Sequence, residues 1–282
     1  MLKIKENKKQ IWLEKFDCFS VKGKDSKRFL NGITTGNIIE LNKKVLKTCW
    51  LSPYGILKSL LEINCLENQL EVIVLIGNTI EIKKYFNEII FPSDDVVLSE
   101  TFSINRIQEV DDINSWRINQ PIFLKNEDKE YDFYKNNPNN MNTNDLKLWK
   151  INQAIPSLDN EINGKNNPLE LGLTDLIDFK KGCYLGQETM SKIRNVSSLK
   201  QEIRVWTAKD SVLKFKSENK NIYNNKEKEK KVGYISSIYK SGSKTIKGLA
   251  MIKRQYLDKE NIFFTDNYCQ ISIDKSIGSI FL

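Results

Sequence analysis

Hydrophobic and polar residues change their period several times along the chain, and each change predicts an element. "FDCFSVKG" alternates as a strand does. "KDSKRFLNGITTGN" follows with Asp25 at an N-cap position, Phe29, Leu30 and Ile33 at helical spacing, and a glycine-containing stop. Between residues 45 and 76, "VLKTCWL", "ILKSLLEIN" and "LEVIVLI" read as strands joined by the turns "SPYG" and "LENQ", a β-meander. Beyond Gly77, the apolar residues Ile82, Tyr85, Phe86, Ile89 and Ile90 share one face of a helix that Pro92 stops.

Residues 125–145 hold seven Asn, one Pro and almost no periodicity, which predicts a surface excursion or lobe boundary. A short helix, "DLKLWKINQAI", is expected next, then a strand-like "TDLIDF" and a helix starting at "GQETMSKI". Past residue 200 the pattern turns to short strands: "EIRVWTA", "KVGYISSIY", "IKGLAMIK" and "YCQISI". Hairpins alternating with amphipathic helices predict an α+β region over 1–200, and the strand-rich remainder a C-terminal β-barrel over 201–282.

Composition narrows the chemistry. Of 282 residues none is histidine, which removes Ser-His and Cys-His nucleophile pairs, histidine-based zinc sites and the usual general base near neutral pH. The five cysteines are scattered without a C-x-x-C pair, so no metal centre is expected and reduced thiols are. No apolar run approaches the roughly 18 residues needed to span a bilayer, and no signal-type h-region opens the chain; cytoplasm is the expected address and a membrane is not an expected partner. The net charge of +8 is concentrated in part in residues 211–231, with seven Lys against three Glu, a composition typical of a solvated loop rather than a nucleic-acid patch. No phosphate-cradling glycine motif is present at the required spacing.

One stretch carries candidate chemistry: "FKKGCYLGQETMSKIRN", residues 179–195. Cys183 falls in a turn ahead of a helix N-terminus, beside Lys181, between Gly182 and Gly186. Adjacent lysines and a helix N-terminus both lower a thiol pKa from about 8.5, so this is the cysteine whose surroundings favour a thiolate. Glu188 sits in the first helical turn, at i, i+4 from Lys192. Cys49 and Cys65 lie in strand patterns, as buried small hydrophobes do. From local sequence alone, a packed turn residue and a functional thiol are equally good accounts of Cys183.

"KGCYLGQE" matches the K-G-C-Y-x-G-Q-E signature of the YgfZ family of folate-binding proteins, relatives of the glycine-cleavage T-protein aminomethyltransferase, associated with maintenance of iron-sulphur enzymes. The resemblance extends further. "VKGKDSKRFLNGITTGNI" resembles the family's opening, "LSPYGILKSLLEI" its L-x-P-x-G strand pair, and "AIPSLDNEINGKNNPLELGLTDLIDF" the segment leading into the motif. "VGYISS" is similar to the barrel's G-x-I-[ST]-S.

The resemblance implies folate-binding T-protein-like lobes around a central cavity, with the barrel beside them and tetrahydrofolate, or a one-carbon derivative, as cofactor. It implies Cys183 and Lys181 as acting groups, Lys181 tuning the thiol. Glu170, Gly182, Tyr184, Gly186, Gln187, Glu188, Arg194 and Asn78 are the implied cofactor-binding residues. A carboxylate such as Glu170 can accept hydrogen bonds from the amino and ring N–H groups of a reduced pterin, and Lys192 and Arg194 suit an anionic glutamate tail. Two departures stand out. In "GNTIEIKKYF" Asn78 is present, but the position matching the aminomethyltransferase's folate-associated Asp is a lysine or is missing. After the motif, "SKIRNVSS" retains Arg194 alone of the family's usual Arg and R-G pair. The implied function is an accessory role in iron-sulphur cluster assembly or repair, with client or assembly proteins as partners. The alternatives are a folate-dependent aminomethyl or methyl transferase and a tRNA-modification factor with weak tRNA contact.

Overall fold

The computed structural model describes residues 9–111, 115–195, 199–209, 220–241, 245–257, 262–266 and 268–274. The chain divides into two compact units, Met1–Leu146 with Asp175–Glu188, and Lys147–Thr174 with Thr189–Leu282. The segment bearing "KGCYLG" therefore belongs to the first unit although second-unit segments flank it in sequence.

The first unit contains β1 (Gln10–Lys22), α1 (Ser26–Ile33), β2 (Val45–Leu51), β3 (Leu57–Cys65), β4 (Leu70–Ile76), α2 (Thr79–Glu88), β5 (Val97–Leu98), β6 (Phe102–Val110), α3 (Ser115–Ile118), β7 (Ile122–Leu124) and α4 (Tyr131–Lys135). Its strands form one seven-stranded sheet in the order β2-β3-β4-β1-β6-β7, with β5 also pairing β1. All these pairings are antiparallel. The meander expected over 45–76 is β2-β3-β4, and the two expected helices are α1 and α2.

Alternation explains the layering. Phe19, Val21, Leu61, Ile63, Val72 and Val74 point to one face, where Leu30 and Ile33 of α1 and Ile82 and Phe86 of α2 complete an apolar core. The opposite face is mixed: Cys18, Ile73 and Ile104 form a small apolar cluster. Beside them, Arg106 donates to both carboxylate oxygens of Glu62 at 2.7 and 2.9 Å and to Gln108 Oε1 at 2.7 Å. Lys47 reaches Glu62 at 3.2 Å, and all four of these polar side chains are buried.

One expectation needs correcting. "TDLIDF" is no strand: Thr174–Leu176 is a single 3-10 turn. Its backbone is satisfied by a loop instead of a ladder, with Thr35 Oγ1 donating to Leu176 O at 2.7 Å and Asp178 N to Thr35 O at 2.9 Å. The Asn-rich excursion expected over 125–145 ends at the first division between the units, after Leu146, and carries local structure of its own. It contains α4, Asn140 Nδ2 closes that helix on Tyr134 O and Lys135 O, and the segment returns to β1 through Ile11 N to Asn139 O at 2.9 Å and Met141 N to Ile11 O at 3.0 Å.

Helix α5 (Thr143–Asn152) crosses the first boundary between units and α6 (Gln187–Asn195) the last. The second unit is built on β8 (Gln201–Lys209), β9 (Asn221–Tyr223), β10 (Lys231–Ser241), β11 (Thr245–Lys253), β12 (Ile262–Thr265) and β13 (Gln270–Ile273), closed as a barrel in the order β10-β11-β8-β13-β12-β9. Trp206, Ile222, Val232, Ile235, Phe263 and Ile271 fill its interior. Closure removes exposed strand edges, which is how six short strands become stable. Part of the Lys/Asn/Glu-rich stretch, 211–219, lies outside the described residues. Its remainder includes β9 and a turn in which the Lys228 ammonium stacks over Tyr268, 3.9 Å from the ring centroid. No helix among the described residues is long and apolar enough to cross a membrane.

Candidate functional site

The site is built from the segment 175–188 lying on α1, on the loop after it, and on the turn between β2 and β3. Asp178 caps its own turn, its Oδ1 accepting from Lys180 N at 2.7 Å and Lys181 N at 3.1 Å. Lys181 then turns inward. Its ammonium donates to Asn31 O at 2.6 Å, Thr34 O at 2.7 Å and Gly36 O at 2.6 Å, the carbonyls where α1 ends. A helix C-terminus presents unpaired carbonyls and negative potential, so a buried ammonium is suited to it. Burial lowers the Lys181 pKa to about 8 while Asp178 pulls the other way. Three acceptors require the three-proton form, which is the one that predominates at neutral pH.

Four residues further, Leu185 N donates to Gly32 O at 3.0 Å. Gly186 has φ +84, and a Cβ there would stand 2.8 Å from Ser52 O and 3.1 Å from Gly55 Cα. The second glycine of the motif is thus a packing requirement: the "SPYG" turn lies against its backbone. Gly182 differs. Its backbone has no positive φ and an added Cβ would meet nothing within 4 Å, so no packing within the protein requires a glycine there.

Between these anchors Cys183 is exposed, whereas Cys18, Cys49, Cys65 and Cys269 are buried. Burial pushes the Cys18 and Cys49 thiols up to about 12, which leaves them protonated and inert. Cys183 is therefore the thiol available to a reactant. Lys181, expected to tune the thiol, has all three of its protons directed at backbone carbonyls. Tyr184 points inward, 6% exposed, with its ring 5.1 Å from the Lys181 ammonium. Its hydroxyl is buried without a hydrogen-bond partner among the described residues, and burial raises its pKa to about 12.

The remaining expected residues divide by position. Gln187 is half-buried and Glu188 exposed in the first turn of α6, with Lys192 and Arg194 exposed in its last turn, the charge order that a helix dipole favours. Asn78 is a helix cap: its Oδ1 accepts from Ile80 N at 3.1 Å and Glu81 N at 3.2 Å, and its Nδ2 donates to Glu81 Oε1 at 3.2 Å. Its polar atoms are committed to α2. Glu170 belongs to the second unit. It and Asn167 exchange hydrogen bonds, Asn167 N to Glu170 Oε2 at 3.2 Å and Glu170 N to Asn167 Oδ1 at 3.0 Å. Burial raises the Glu170 pKa, opposed by the Asn167 amide, Gln201 and Lys200. A half-buried carboxylate with a raised pKa is the kind of group that functional sites contain.

Sequence reasoning missed the residue that organises the loop. Thr35 is fully buried, accepts from Cys49 N at 2.9 Å through its hydroxyl, and holds Leu176 and Asp178 through side chain and backbone. "NGITTGN" offered the signal, since paired threonines after a helix stop are placed to bond a neighbouring backbone.

No family model matches the chain. A protein of Arabidopsis thaliana, provisionally named a chloroplastic transferase, is 37% identical over 54 residues, 19% of this chain and only 12% of that protein's length. Among solved structures, the glycine cleavage system aminomethyltransferase T from Bartonella henselae superposes with a TM-score of 0.70 over 95% of this chain and 86% of that one, at 12% identity. That likeness establishes the fold.

Proposed function

We propose that the protein is a tetrahydrofolate-binding accessory factor that acts in iron-sulphur cluster assembly or repair through Cys183. The observation that carries this reading is the presentation of one exposed thiol, out of five cysteines, on a turn fastened to α1 and to the β2-β3 turn. A thiol needed only for packing would be buried like the other four. The fold shared with an aminomethyltransferase and the motif shared with folate-binding relatives support folate as the cofactor class.

The donor and acceptor chemistry present suits a reduced folate. Taken separately, Glu170 of the second unit offers a half-buried acceptor for pterin N–H groups, and the Tyr184 hydroxyl of the first is a buried polar atom without a hydrogen-bond partner among the described residues. When bound, the cofactor supplies a one-carbon carrier. The chain's residues would bind its edge through Glu170, balance its tail through Lys192 and Arg194, and present Cys183 to a client protein. One exposed thiol cannot hold a four-ligand cluster, so a transient thiol role fits better than a resident cluster.

Replacing Cys183 by Ala should leave folding and tetrahydrofolate binding intact and fail to restore iron-sulphur enzyme activity in a deletion strain. Full restoration removes the thiol from the mechanism. The fold itself favours one second reading, a folate-dependent aminomethyl or methyl transferase; turnover of a lipoyl-linked aminomethyl donor by the purified protein would establish it over the first. Client or assembly proteins as partners and a cytoplasmic site of action belong to the same proposal.

A further inference from the structure

Lys181 stands two residues from the exposed thiol, and its ammonium is held by backbone acceptors. It is 8% exposed and ends in a cradle of three carbonyls, from Asn31, Thr34 and Gly36, at 2.6 to 2.7 Å. These distances are short for N–H···O bonds and typical of charge-assisted ones. The charged and titratable groups around the ammonium are few. Asp178 attracts it from its own segment, the Tyr184 ring lies under it at 5.1 Å, and from α1 and the following loop its hydrogen-bond partners among the described residues are backbone carbonyls.

We infer that Lys181 is the positioning residue of the Cys183 turn: it pins the segment to the C-terminal end of α1, fixing where the thiol is presented, and does not activate the sulfur. The two roles make opposite demands on a lysine. An activating ammonium must lie close enough to the sulfur to stabilise the thiolate relative to the thiol; a clamping one must be saturated by acceptors, as this one is. Removing the clamp leaves the turn tethered by Asp178 N to Thr35 O and Leu185 N to Gly32 O, seven residues apart on either side of the thiol. The stretch between them is then free to open locally without global unfolding.

The inference rests on reading Cys183 as the acting group, and the test separates the two. In the full-length protein, Lys181→Met keeps the aliphatic stem and deletes the donors, while Lys181→Arg keeps the charge with a different donor geometry. Two quantities are measured: protection of the amides of residues 178–186 by hydrogen exchange, and the pH profile of iodoacetamide alkylation of Cys183, with Cys183→Ser as the blank. Positioning predicts that Lys181→Met loses about tenfold or more of the protection of those amides. The alkylation midpoint stays within about 0.3 pH unit of the wild type. Lys181→Arg should fall between the wild type and Lys181→Met in protection, at the same midpoint. A midpoint raised by about one unit with protection unchanged overturns the inference and makes Lys181 the activator. Wild-type behaviour of Lys181→Met in both measurements overturns it as well. If Lys181→Met unfolds, the Arg variant decides: it must show selective loss of protection at 178–186, and protection equal to the wild type counts against the clamp. Failure of Cys183→Ala to affect cluster repair would sink the functional reading while leaving these amide results standing.

Discussion

Gly186 lies under Ser52: a Cβ on the glycine would come within 2.8 Å of the Ser52 carbonyl oxygen, at a backbone φ of +84. Two short motifs more than 130 residues apart in sequence thereby fix each other, because the "SPYG" turn can approach only a residue without a side chain.

Replacing Gly186 with Ala should therefore cost about 2 kcal/mol or more, combining left-handed strain with displacement of the Ser52–Gly55 turn. Gly182→Ala is the internal control, since open space surrounds that position, and it should stay within about 0.5 kcal/mol of the wild type. Urea unfolding of both variants checks the contrast. Equal effects at the two glycines would mean that the turn does not pack as described.

The buried Arg106–Glu62 pair predicts acid sensitivity. Burial pushes the Glu62 carboxyl upward, but Arg106 and Lys47 outweigh it and hold the pKa below the ordinary 4.5. A depressed folded-state pKa contributes stability that is present above the unfolded value and lost as pH falls through the folded one. Stability should thus decline below about pH 4.5 and the decline should be shallower in a Glu62→Gln variant. Arg106→Ala leaves a buried carboxylate with only Lys47, itself pulled toward neutrality by burial, and should cost about 3–5 kcal/mol at neutral pH. Chemical denaturation between pH 3 and pH 7 measures both.

How much of this was legible beforehand follows from where the chain keeps a simple period. The meander of β2, β3 and β4, the helices α1 and α2 and four of the barrel strands alternate or recur cleanly, and the sequence announces them. Strand β6 does not: "FSINRIQEV" places Asn105, Arg106 and Gln108 in the interior of a central strand, so its burial is invisible until Glu62 and Lys47 are found beside it. The short strands β9 and β12 owe their pairing to barrel closure, a non-local cause. At the site, Cys183 and Gly186 were readable from the motif. The inward turn of Lys181 was not, since its partners are backbone carbonyls some 145 to 150 residues away, and backbone acceptors leave no mark in composition.

Tyr184 offers a test of whether the motif was shaped by a ligand. Its hydroxyl is buried with no partner among the described residues, and an unsatisfied buried donor costs about 1–3 kcal/mol. Tyr184→Phe deletes only that oxygen, so the variant should be as stable as the wild type or more so by thermal unfolding. If the hydroxyl pairs with bound tetrahydrofolate, the same variant loses roughly fivefold to tenfold in affinity by calorimetry. A variant that is both destabilised and unchanged in binding would show that the phenol has a protein partner after all.

Glu170 separates loop structure from cofactor recognition. Its raised pKa means that its contribution to stability is present below the ordinary 4.5 and is lost as pH rises through the folded-state value, so the ionised loop is the less stable one. Glu170→Gln keeps an oxygen to accept from Asn167 N and removes the charge, and should flatten stability against pH above about 4.5. Tetrahydrofolate recognition makes a different demand. A carboxylate can accept two N–H bonds from a pterin edge, whereas an amide presents one acceptor and one donor, so the donor would face an N–H. Affinity should fall by about 10- to 100-fold, read by calorimetry at pH 7. Unchanged affinity with an altered pH dependence of stability would assign Glu170 to the 167–170 loop alone and leave pterin recognition to other residues.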